Sequence, residues 1–405
     1  MKTTSCVKNN QVHNRSNYLS SKASNRSIVK LADIAVITAG NPAPKKTEFA
    51  KEGKPFVRAG NLNELIDGVA VSNLEKLDDE TAKQKKMKLF PAGTVIFAKS
   101  GMSCVTGNIY ILPEPCYVVS HLACIITNKK LAEYLRYYFE FDKPCKLIEN
   151  ASFPSIRLGK ISNMAIPLPA DAEMLRQTAV LKYVDQLKRQ YGLQLHTLDS
   201  LIKSRFVEKF NEVKRASILE ELIDPETRIS YGIVQPGPEG TGDMGVLRPV
   251  DIADGRLCLD TVKMIDRAIG NSYRRTELMG DEILTIVRGA TGQTVRSKVD
   301  CAGMNVTRGI AVIRHEPSLI DPDYLVGYMN SDNGKRYIAD HTQGATLQQI
   351  NIADLRVMPI PVPPLALQQE FAAFVSQVDK LRFATQQQID KLETLKKSLM
   401  QEYFG

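Results

Sequence analysis

Two passages decide the fold, NMAIPLPADA at 163–172 and VMPIPVPPLA at 357–366, because the second repeats the first 194 residues later. Their identical pairs are Met164/Met358, Ile166/Ile360, Pro167/Pro361 and Pro169/Pro363. Further identities in the same register are Ala172/Ala366, Ala179/Ala373, Val184/Val378, Asp185/Asp379, Leu187/Leu381, Leu198/Leu392, Leu201/Leu395, Lys203/Lys397, Ser204/Ser398 and Phe210/Phe404. One ungapped register over this length predicts an internal duplication.

Each copy has the same plan, a mixed segment followed by a proline-rich entry and a long helix. Short β-rich runs such as TVIFA (94–98) and DEILTIV (281–287) are interrupted by helical stretches such as LAEYLRYYFEF (131–141), which predicts the α+β class. The predicted segments are a polar basic segment (1–27), a first mixed domain (28–168), a central helix (169–214), a second mixed domain (215–362) and a C-terminal helix (363–405).

Apolar residues follow heptad spacing along both predicted helices, which is the pattern of a coiled coil. The expected seam consists of Val184, Leu187, Tyr191, Leu198 and Leu201 in the first helix and Val378, Leu381, Leu392, Leu395 and Leu399 in the second. Two such helices in one chain can pair antiparallel, with one mixed domain at each end. The alternative is that each helix packs only on its own domain.

The net charge of +8 lies at the front of the chain, since residues 1–60 hold eleven Lys and Arg against three acids. A basic segment indicates an anionic polymer as partner, and a solvated tail explains residues 1–27 equally well. No apolar run approaches the ~18 residues of a membrane span, and residues 1–27 lack the apolar region of a secretory signal. With seven cysteines that never form CxxC, we expect a cytoplasmic protein with reduced thiols.

Two stretches resemble the specificity subunit of Type I restriction–modification systems. ATLQQINIADLRVMPIPVPPLALQQEFAAFVSQVDKL (345–381) is similar to that family's passage from recognition domain into helix, with its IPxPPLxxQ core. ISYGIVQPGPEGTGDMGVLRPVDI (229–252) is similar to the opening of a recognition domain. The first half departs from the family pattern, since PLPADAEMLRQ lacks the double proline and FVRAGNL has Asn61 where Asp is usual.

The resemblance implies a DNA-reading subunit without a catalytic site. Each mixed segment would be a target recognition domain for one half of a split, asymmetric sequence on double-stranded DNA. The paired helices would dock two modification subunits, which carry S-adenosylmethionine and methylate adenine. Restriction subunits would use ATP and Mg²⁺ to translocate and cleave foreign DNA. No cofactor is expected on this chain itself.

Reading bases requires Arg, Lys, Asn or Gln within reach of the grooves, and anchoring requires cations near phosphates. The loop-borne candidates in the first domain are Lys45, Lys46, Arg58, Asn61, Lys99 and the cluster Lys83, Lys85, Lys86 and Lys88. Those in the second domain are Arg248, Arg274, Arg275, Arg288, Gln293 and Arg296. The repeat sets Arg58 against Arg248 and Lys99 against Arg288, which favours these four over plainly solvated cations.

Enzymatic motifs are not indicated. NPAP (41–44) lacks the adjacent prolines and aromatic residue of an amino-methyltransferase loop, and PGPEGTGDMG (236–245) has no GK[ST] for a phosphate. The five histidines show no metal-ligand spacing. Two other functions stay open, a specificity module of a self-sufficient restriction or modification enzyme and a coiled-coil adaptor between proteins.

Overall fold

The computed structural model describes residues 26–213, 215–237, 240, 242–253, 255–344 and 347–405. Apart from Arg26 and Ser27, the predicted polar segment 1–27 lies outside the described residues. The chain forms two compact units. Unit 1 contains the described residues up to Arg189 together with Asp390–Gly405, and unit 2 contains Gln190–Ile389. Helices and short strands alternate in both units, so the α+β prediction is confirmed.

Unit 1 consists of short strands, short helices and parts of two long helices. Its strands are β1 (Ser27–Lys30), β2 (Val36–Ala39), β3 (Lys54–Val57), β4 (Lys76–Leu77), β5 (Leu89–Phe90), β6 (Val95–Ala98), β7 (Ile109–Ile111), β8 (Cys116–Val118), β9 (Leu122–Ile126) and β10 (Ala165–Leu168). Its helices are α1 (Leu31–Ile34), α2 (Asn61–Ile66), α3 (Asp79–Gln84), α4 (Ser103–Thr106), α5 (Lys129–Phe141), α6 (Leu158–Ser162) and the first part of α7 (Asp171–Phe210).

Unit 1 contains two four-stranded sheets and a separate two-stranded pair. One sheet has the antiparallel order β2-β9-β6-β7, and the other has the order β4-β3-β8-β5 with β3 and β8 parallel. Strand β1 pairs with β10 just before the long helix. Apolar residues are buried where α5 covers the first sheet, as in the edge-to-face pair of Phe97 and Phe139 at 5.6 Å.

Unit 2 repeats this plan with different lengths. Its strands are β11 (Ala216–Ile218), β12 (Ser230–Tyr231), β13 (Met244–Leu247), β14 (Ile252–Ala253), β15 (Arg256–Leu257), β16 (Lys263–Ile265), β17 (Ile283–Ile286), β18 (Thr294–Arg296), β19 (Asn305–Val306), β20 (Ile310–Ile313), β21 (Thr342–Gln343), β22 (Gln349–Ile350) and β23 (Pro359–Pro361). Its helices are the second part of α7, α8 (Arg267–Asn271), α9 (Pro322–Met329), α10 (Asp332–Asp340), α11 (Ile352–Arg356) and most of α12 (Leu365–Phe404).

The sheets of unit 2 follow those of unit 1 strand for strand. The order β12-β20-β17-β18 matches the first sheet, and β16-β13-β19, with β13 and β19 parallel, matches the second without its last strand. The pair β11-β23 matches β1-β10. The predicted duplication therefore extends to the sheets of both units, and unit 2 adds the strand pairs β14-β15 and β21-β22.

The repeated proline passage makes the same contacts in both units. It forms β10 or β23, and two tyrosines on the neighbouring helix donate their hydroxyls to its carbonyls. The tyrosine–carbonyl pairs are Tyr134 with Pro167, Tyr138 with Ala165, Tyr324 with Pro361 and Tyr328 with Pro359. A proline has no N–H but keeps its carbonyl, so it is tolerated in these short edge strands.

The two long helices meet antiparallel within each unit. In unit 1, ion pairs join Asp185 to Lys396 at 2.8 Å and Lys188 to Glu393 at 2.9 Å. In unit 2, Asp199 joins Arg382 at 3.0 Å, and Lys209 joins Glu370. As the number on α7 rises, the number on α12 falls. Both helices contribute to both units, which rules out the alternative of a helix packed only on its own domain.

The register of the helix seam differs in part from the prediction. Val184, Leu198 and Val378 are buried, whereas Leu201, Leu381 and Leu395 are 46%, 55% and 46% exposed. The predicted seam was therefore wrong at Leu201, Leu381 and Leu395, where the next residue in the sequence is the less exposed one. Ile202, Arg382 and Lys396 are the less exposed neighbours. Two of these neighbours are cations, so apolar periodicity could not reveal them. Leu187, Tyr191, Leu392 and Leu399 are half-buried. None of the described helices is both long and apolar enough to cross a membrane.

Candidate nucleic-acid interface

Loops converge at one edge of unit 2. The N–H of Arg288, just after β17, donates to the carbonyl of Gly309 at 3.3 Å, and the N–H of Gly289 donates to Gln348 at 2.9 Å. The N–H of Arg308 donates to Ile233 at 2.9 Å. We define loop edge 2 as residues 233–237, 248–250, 288–293, 307–309 and 347–349.

The same ends of the strands converge in unit 1. The Asn41 side chain donates to the Lys88 carbonyl at 2.9 Å, and the Ser120 N–H donates to the Asn41 carbonyl at 2.6 Å. The Gly101 N–H donates to Pro154 at 3.0 Å. We define loop edge 1 as residues 41–49, 85–88, 99–102, 119–121 and 153–155.

A glycine opens each loop edge for the same steric reason. A Cβ at Gly232 would lie 1.9 Å from the Val306 carbonyl oxygen, and a Cβ at Gly40 would lie 2.2 Å from that of Val118. Only glycine permits such close backbone approach. This explains why a glycine follows Tyr231 in the sequence. It also fixes the position at which the following loop begins in each unit.

Arg58 and Arg248 occupy corresponding positions, as the repeat predicts, after the parallel strands β3 and β13. Arg58 Nε donates to Glu75 at 2.8 Å, and its guanidinium lies 5.1 Å from the ring of Phe49. Arg248 donates to Asp251 at 3.1 and 3.0 Å through two nitrogens. Both guanidinium charges are therefore compensated within their own unit, and a direct DNA contact by either residue stays a prediction.

Asn61 has a local structural role. Its Oδ1 accepts the N–H of Arg58 at 2.9 Å, as Oδ2 of Asp251 accepts the N–H of Arg248 at 2.8 Å. The Asn at 61, where the family pattern has Asp, keeps this turn because an amide oxygen accepts the same hydrogen bond. Its contact with a base also stays a prediction.

Lys99 and Arg288 are not structural counterparts, so the repeat alignment was wrong here by one residue. The N–H of Lys99 donates to the carbonyl of His121 at 2.9 Å, and in unit 2 the bond of this length runs from Val287 to Gly309, whereas the bond from Arg288 to Gly309 is longer at 3.3 Å. Arg288 instead forms a backbone β-bridge with Gln349, as Ser100 does with Ser155. Because side chains alternate along a strand, Lys99 and Arg288 leave their strands on opposite faces.

The predicted lysines of the first domain lie in the segments of loop edge 1, except Lys83. Lys45, Lys46 and Lys86 are exposed there. Lys85 forms an ion pair with Glu48 at 2.9 Å, and its hydrogen bond lowers the pKa of that carboxyl. Lys83 on α3 and Lys88 over the ring of Phe90 are exposed too, whereas Lys99 is half-buried. Several cations on one edge provide the electrostatics that phosphate contacts require.

Three predicted arginines of the second domain lie away from loop edge 2. Exposed Arg274 and Arg275 lie past the opposite end of β20, where Arg314 donates to the Arg275 carbonyl at 2.7 Å. Arg296 is bound by Asp281 and Asp323, each at 2.7 Å. The structure therefore does not bring these arginines together with Arg288.

Arg288 and Gln293, both half-buried at loop edge 2, each have unused hydrogen-bonding capacity. Nε of Arg288 and Oε1 of Gln293 are buried without a partner among the described residues. An unpaired buried polar atom is unfavourable unless a ligand satisfies it. Arginine and glutamine are the side chains that bind guanine and adenine edges by paired hydrogen bonds.

Sequence reasoning missed Arg308 and His121. Arg308 is exposed on loop edge 2 beside Gly309, and His121 accepts or donates a 2.7 Å hydrogen bond with Ser100 on loop edge 1. Both lie in the turn before the central strand of the first sheet. The only indication in the sequence was that TRG (307–309) and SHL (120–122) stand at the start of the apolar strands β20 and β9.

Unit 1 has a cavity of about 490 Å³ at the end of its first sheet opposite loop edge 1. Four cations line it, namely Lys129, Arg136, Lys182 and Arg189, beside apolar Ile111. In unit 2 the strand position of Ile111 belongs to Arg296, whose side chain binds two aspartates there. Among the residues that the structure describes, no group of His, Cys, Asp and Glu could hold a metal ion.

Comparison with protein families gives one match that covers most of the chain. The model of the Type I restriction modification DNA specificity domain matches residues 24–201 and 264–394. The chain is 25% identical over 194 residues to the Type I restriction enzyme EcoBI specificity subunit of Escherichia coli, covering 46% of this chain and 40% of that protein.

A second curated relative is the Type I restriction enzyme MjaIX specificity subunit of Methanocaldococcus jannaschii, 27% identical over 147 residues. That match covers 35% of this chain and 33% of the relative, so both alignments span well under half of the curated proteins.

Solved structures share the fold. The Type I restriction–modification S subunit from M. genitalium matches with a TM-score of 0.54 and 12% identity, covering 95% of this chain and 98% of that one. A chain from a structural study of the assembly and conformational transition of the type I R-M system matches with a TM-score of 0.55 and 17% identity, covering 94% and 97%.

Proposed function

The chain belongs to the Type I restriction modification DNA specificity family, and we propose that it is the non-catalytic subunit that reads a bipartite, asymmetric DNA target. Unit 1 reads one half-site through loop edge 1, and unit 2 reads the other through loop edge 2. Base-reading side chains on the second edge are Arg288, Gln293 and Arg308. On the first edge, the lysines anchor phosphates.

The observation that carries this proposal is one backbone edge built twice with different side chains. Gly40 and Gly232 open the loops in the same way, and both edges close with the same backbone hydrogen bonds. The exposed chemistry differs, with lysines on loop edge 1 and arginine with glutamine on loop edge 2. One scaffold with two chemistries suits a target whose halves differ in sequence.

The partners follow from the family. We propose that two modification subunits dock on the paired helices α7 and α12, and that restriction subunits join the same cytoplasmic complex. S-adenosylmethionine, ATP and Mg²⁺ belong to those partners. Adenine methylation requires the base to leave the duplex, which a reading subunit can assist only by positioning the DNA. The expectation that the helices fix the spacing between half-sites stays a prediction.

Selection from a random-sequence duplex library tests this function. The chain is selected alone and together with co-expressed modification subunits, and the bound DNA is sequenced. We expect a split, asymmetric consensus with the subunits present. Methylation by the purified chain alone would instead indicate a self-sufficient enzyme. No DNA selectivity under either condition would leave a coiled-coil adaptor.

A further inference from the structure

Each loop edge exposes large apolar side chains to solvent, Met102 (73% exposed) beside Phe153 on loop edge 1, and Val234 (45%) and Val250 (73%) beside Leu347 on loop edge 2. Phe153 is 80% exposed on loop edge 1, and Leu347 is 53% exposed on loop edge 2. These residues occupy the same place in the repeat, 194 positions apart, like the pairs of the proline passage that follows them. Exposure of a large apolar group is unfavourable in water, so its presence at the same position in both units points to a partner that covers it.

The loop that carries Phe153 is held in a fixed conformation. The side chain of Asn150 accepts the backbone N–H groups of Ser152 at 2.9 Å and Phe153 at 3.4 Å. On the other side, Pro154 accepts the N–H of Gly101 at 3.0 Å. The backbone is therefore anchored on both sides of an aromatic ring that contacts mostly solvent.

Leu347 is held by different means. It lies two residues before β22, which pairs with β21 through Ile350 and Thr342. Gly344 has a φ of +101°, and a Cβ there would lie 2.3 Å from the Leu347 carbonyl oxygen. The segment of Leu347 is tied to loop edge 2 by the hydrogen bond from Gly289 to Gln348 at 2.9 Å. Two unrelated local sequences thus present one apolar tip in the same place.

The surroundings of both tips are polar. Ser100, His121 and Ser155 adjoin the loop of Phe153, and Arg288, Gln348 and Gln349 adjoin Leu347. An apolar side chain fixed among hydrogen-bond donors and cations suits a DNA interface, which is more polar and more positively charged than a protein–protein interface. It matches the wedge residues of DNA-binding proteins, which partly unstack one base step while polar neighbours hold the backbone.

We propose that Phe153 and Leu347 are wedges that insert between adjacent base pairs, one in each half of the DNA target. This inference rests on the proposed DNA-reading function. Insertion removes the apolar side chain from water and opens one base step, whose deformability then contributes to the sequence preference of that half-site. The larger, flat ring of Phe153 opens its step more than the side chain of Leu347.

Fluorescence of 2-aminopurine tests the wedges in the complex with the modification subunits. The probe replaces one base at a time across both half-sites of the selected target, leaving out the methylated adenines, which unstack for another reason. We expect one step in each half-site to brighten on binding. Phe153→Ala should remove the signal in one half-site only, Leu347→Ala in the other only, and each should weaken binding about tenfold.

Matched variants separate the wedge from general surface effects. Val36→Ala and Met279→Ala remove exposed apolar side chains (62% and 79% exposed) far from the loop edges and should change neither signal nor affinity. Phe153→Trp should restore the signal. An abasic site at the brightened step should reduce the binding deficit of Phe153→Ala, because that step needs no unstacking.

Two results would overturn the wedges while leaving the proposed function intact. One is target-selective binding by the wild-type complex without a brightened step in either half-site. The other is loss of the modification subunits from the Phe153→Ala or Leu347→Ala complex, which would assign the tips to a protein contact. Absence of target-selective binding by the wild-type complex would instead overturn the proposed function.

Discussion

In each unit the long helices pack against the rest of the unit at a junction, which is ionic in unit 1 and aromatic in unit 2. The backbone elements that meet there are the same in both units. In unit 1, Lys396 on α12 binds both Asp185 at 2.8 Å and Glu140 at 2.6 Å. In unit 2, the rings of Phe206 and Phe371 lie 5.4 Å apart in the core. The comparison teaches that the duplicated fold depends on shared backbone contacts, which leave side chains free to diverge.

The replacement of ionic side chains in unit 1 by apolar ones in unit 2 is visible at individual positions of the repeat. Ile202 occupies the place in the repeat that corresponds to Lys396. Gly327 corresponds to Tyr137 on the matching helix, and a Cβ at Gly327 would lie 3.0 Å from both Phe206 and Phe371. The phenylalanine rings therefore fill the space that Tyr137 and its ionic neighbours occupy in unit 1. The same freedom at the loop edges gives the two units different side chains there, as the proposed reading of two different half-sites requires.

Removing one ring from the aromatic junction should have the largest effect on stability. Phe371 is fully buried, so Phe371→Ala should lower the free energy of unfolding of unit 2 by about 4 kcal/mol. Hydrogen exchange of the α9 amides measures this locally, with Phe383→Ala, at a 68% exposed position of the same helix, as control. Equal exchange in the two variants would contradict the packing of this junction.

The ionic junction should respond somewhat less to the loss of its cation. Lys396→Met leaves Asp185 and Glu140 without their shared partner, and we expect about 3 kcal/mol less protection of the α5 amides. The exposed neighbour Lys397 supplies the control Lys397→Met. A variant as stable as the wild type would show that the buried pair is replaceable by an apolar side chain, as in unit 2.

The same junction should be sensitive to acid. Burial would raise the pKa of Asp185, but the hydrogen bond and charge of Lys396, with Arg136, lower it below its ordinary value. A carboxyl with a lowered folded pKa stabilises fully above its unfolded pKa and loses that contribution as the pH falls through the folded pKa. Acid should therefore reduce α5 protection, corrected for intrinsic exchange rates, and Asp185→Asn should abolish this pH dependence.

At the loop edges, the comparison predicts an effect confined to one half-site. Arg288→Ala should weaken binding by about 2 kcal/mol and relax the base preference at one position read by unit 2. Arg275→Ala removes a cation beyond the opposite end of β20 and should lower affinity only slightly and without change of sequence. Competition binding with single-base variants of the target distinguishes the two, and equal relaxation by both would refute the assignment of loop edge 2.

The smallest effects should be equal in the two units. Tyr134→Phe and Tyr324→Phe each remove a hydroxyl hydrogen bond to a proline carbonyl of the proline passage, worth about 1 kcal/mol. Local hydrogen exchange in β1 and β11, the partners of the passage, measures both. A large difference between the two variants would show that even the shared backbone contacts have diverged.

Repetition made most of the fold predictable from the sequence. The proline passage and the helices are tight copies, so the duplication, the α+β class and the two long helices follow from one alignment. The strand order and the parallel pairs β3-β8 and β13-β19 could not be foreseen, because they depend on contacts between residues far apart in the chain. The seam was misplaced where Arg382 and Lys396 take buried positions.

The candidate site was harder to predict because position in a loop does not reveal an intramolecular partner. Arg58 binds Glu75, seventeen positions later, which no local pattern indicates. Arg248 binds Asp251 only three positions on, and the RPVD spacing could have suggested that turn. A one-residue difference in loop length hid the true counterpart of Arg288, which is Ser100.

Exchange of one recognition unit tests the central claim most directly. Residues 218–362 are replaced by the corresponding segment of another family member with a known target, and methylated adenines are mapped in cells that express the hybrid with its modification subunits. The account predicts that one half-site changes to that of the donor while the other half-site stays the same. A change in both half-sites, or in neither, would contradict two independent readers on one duplicated scaffold.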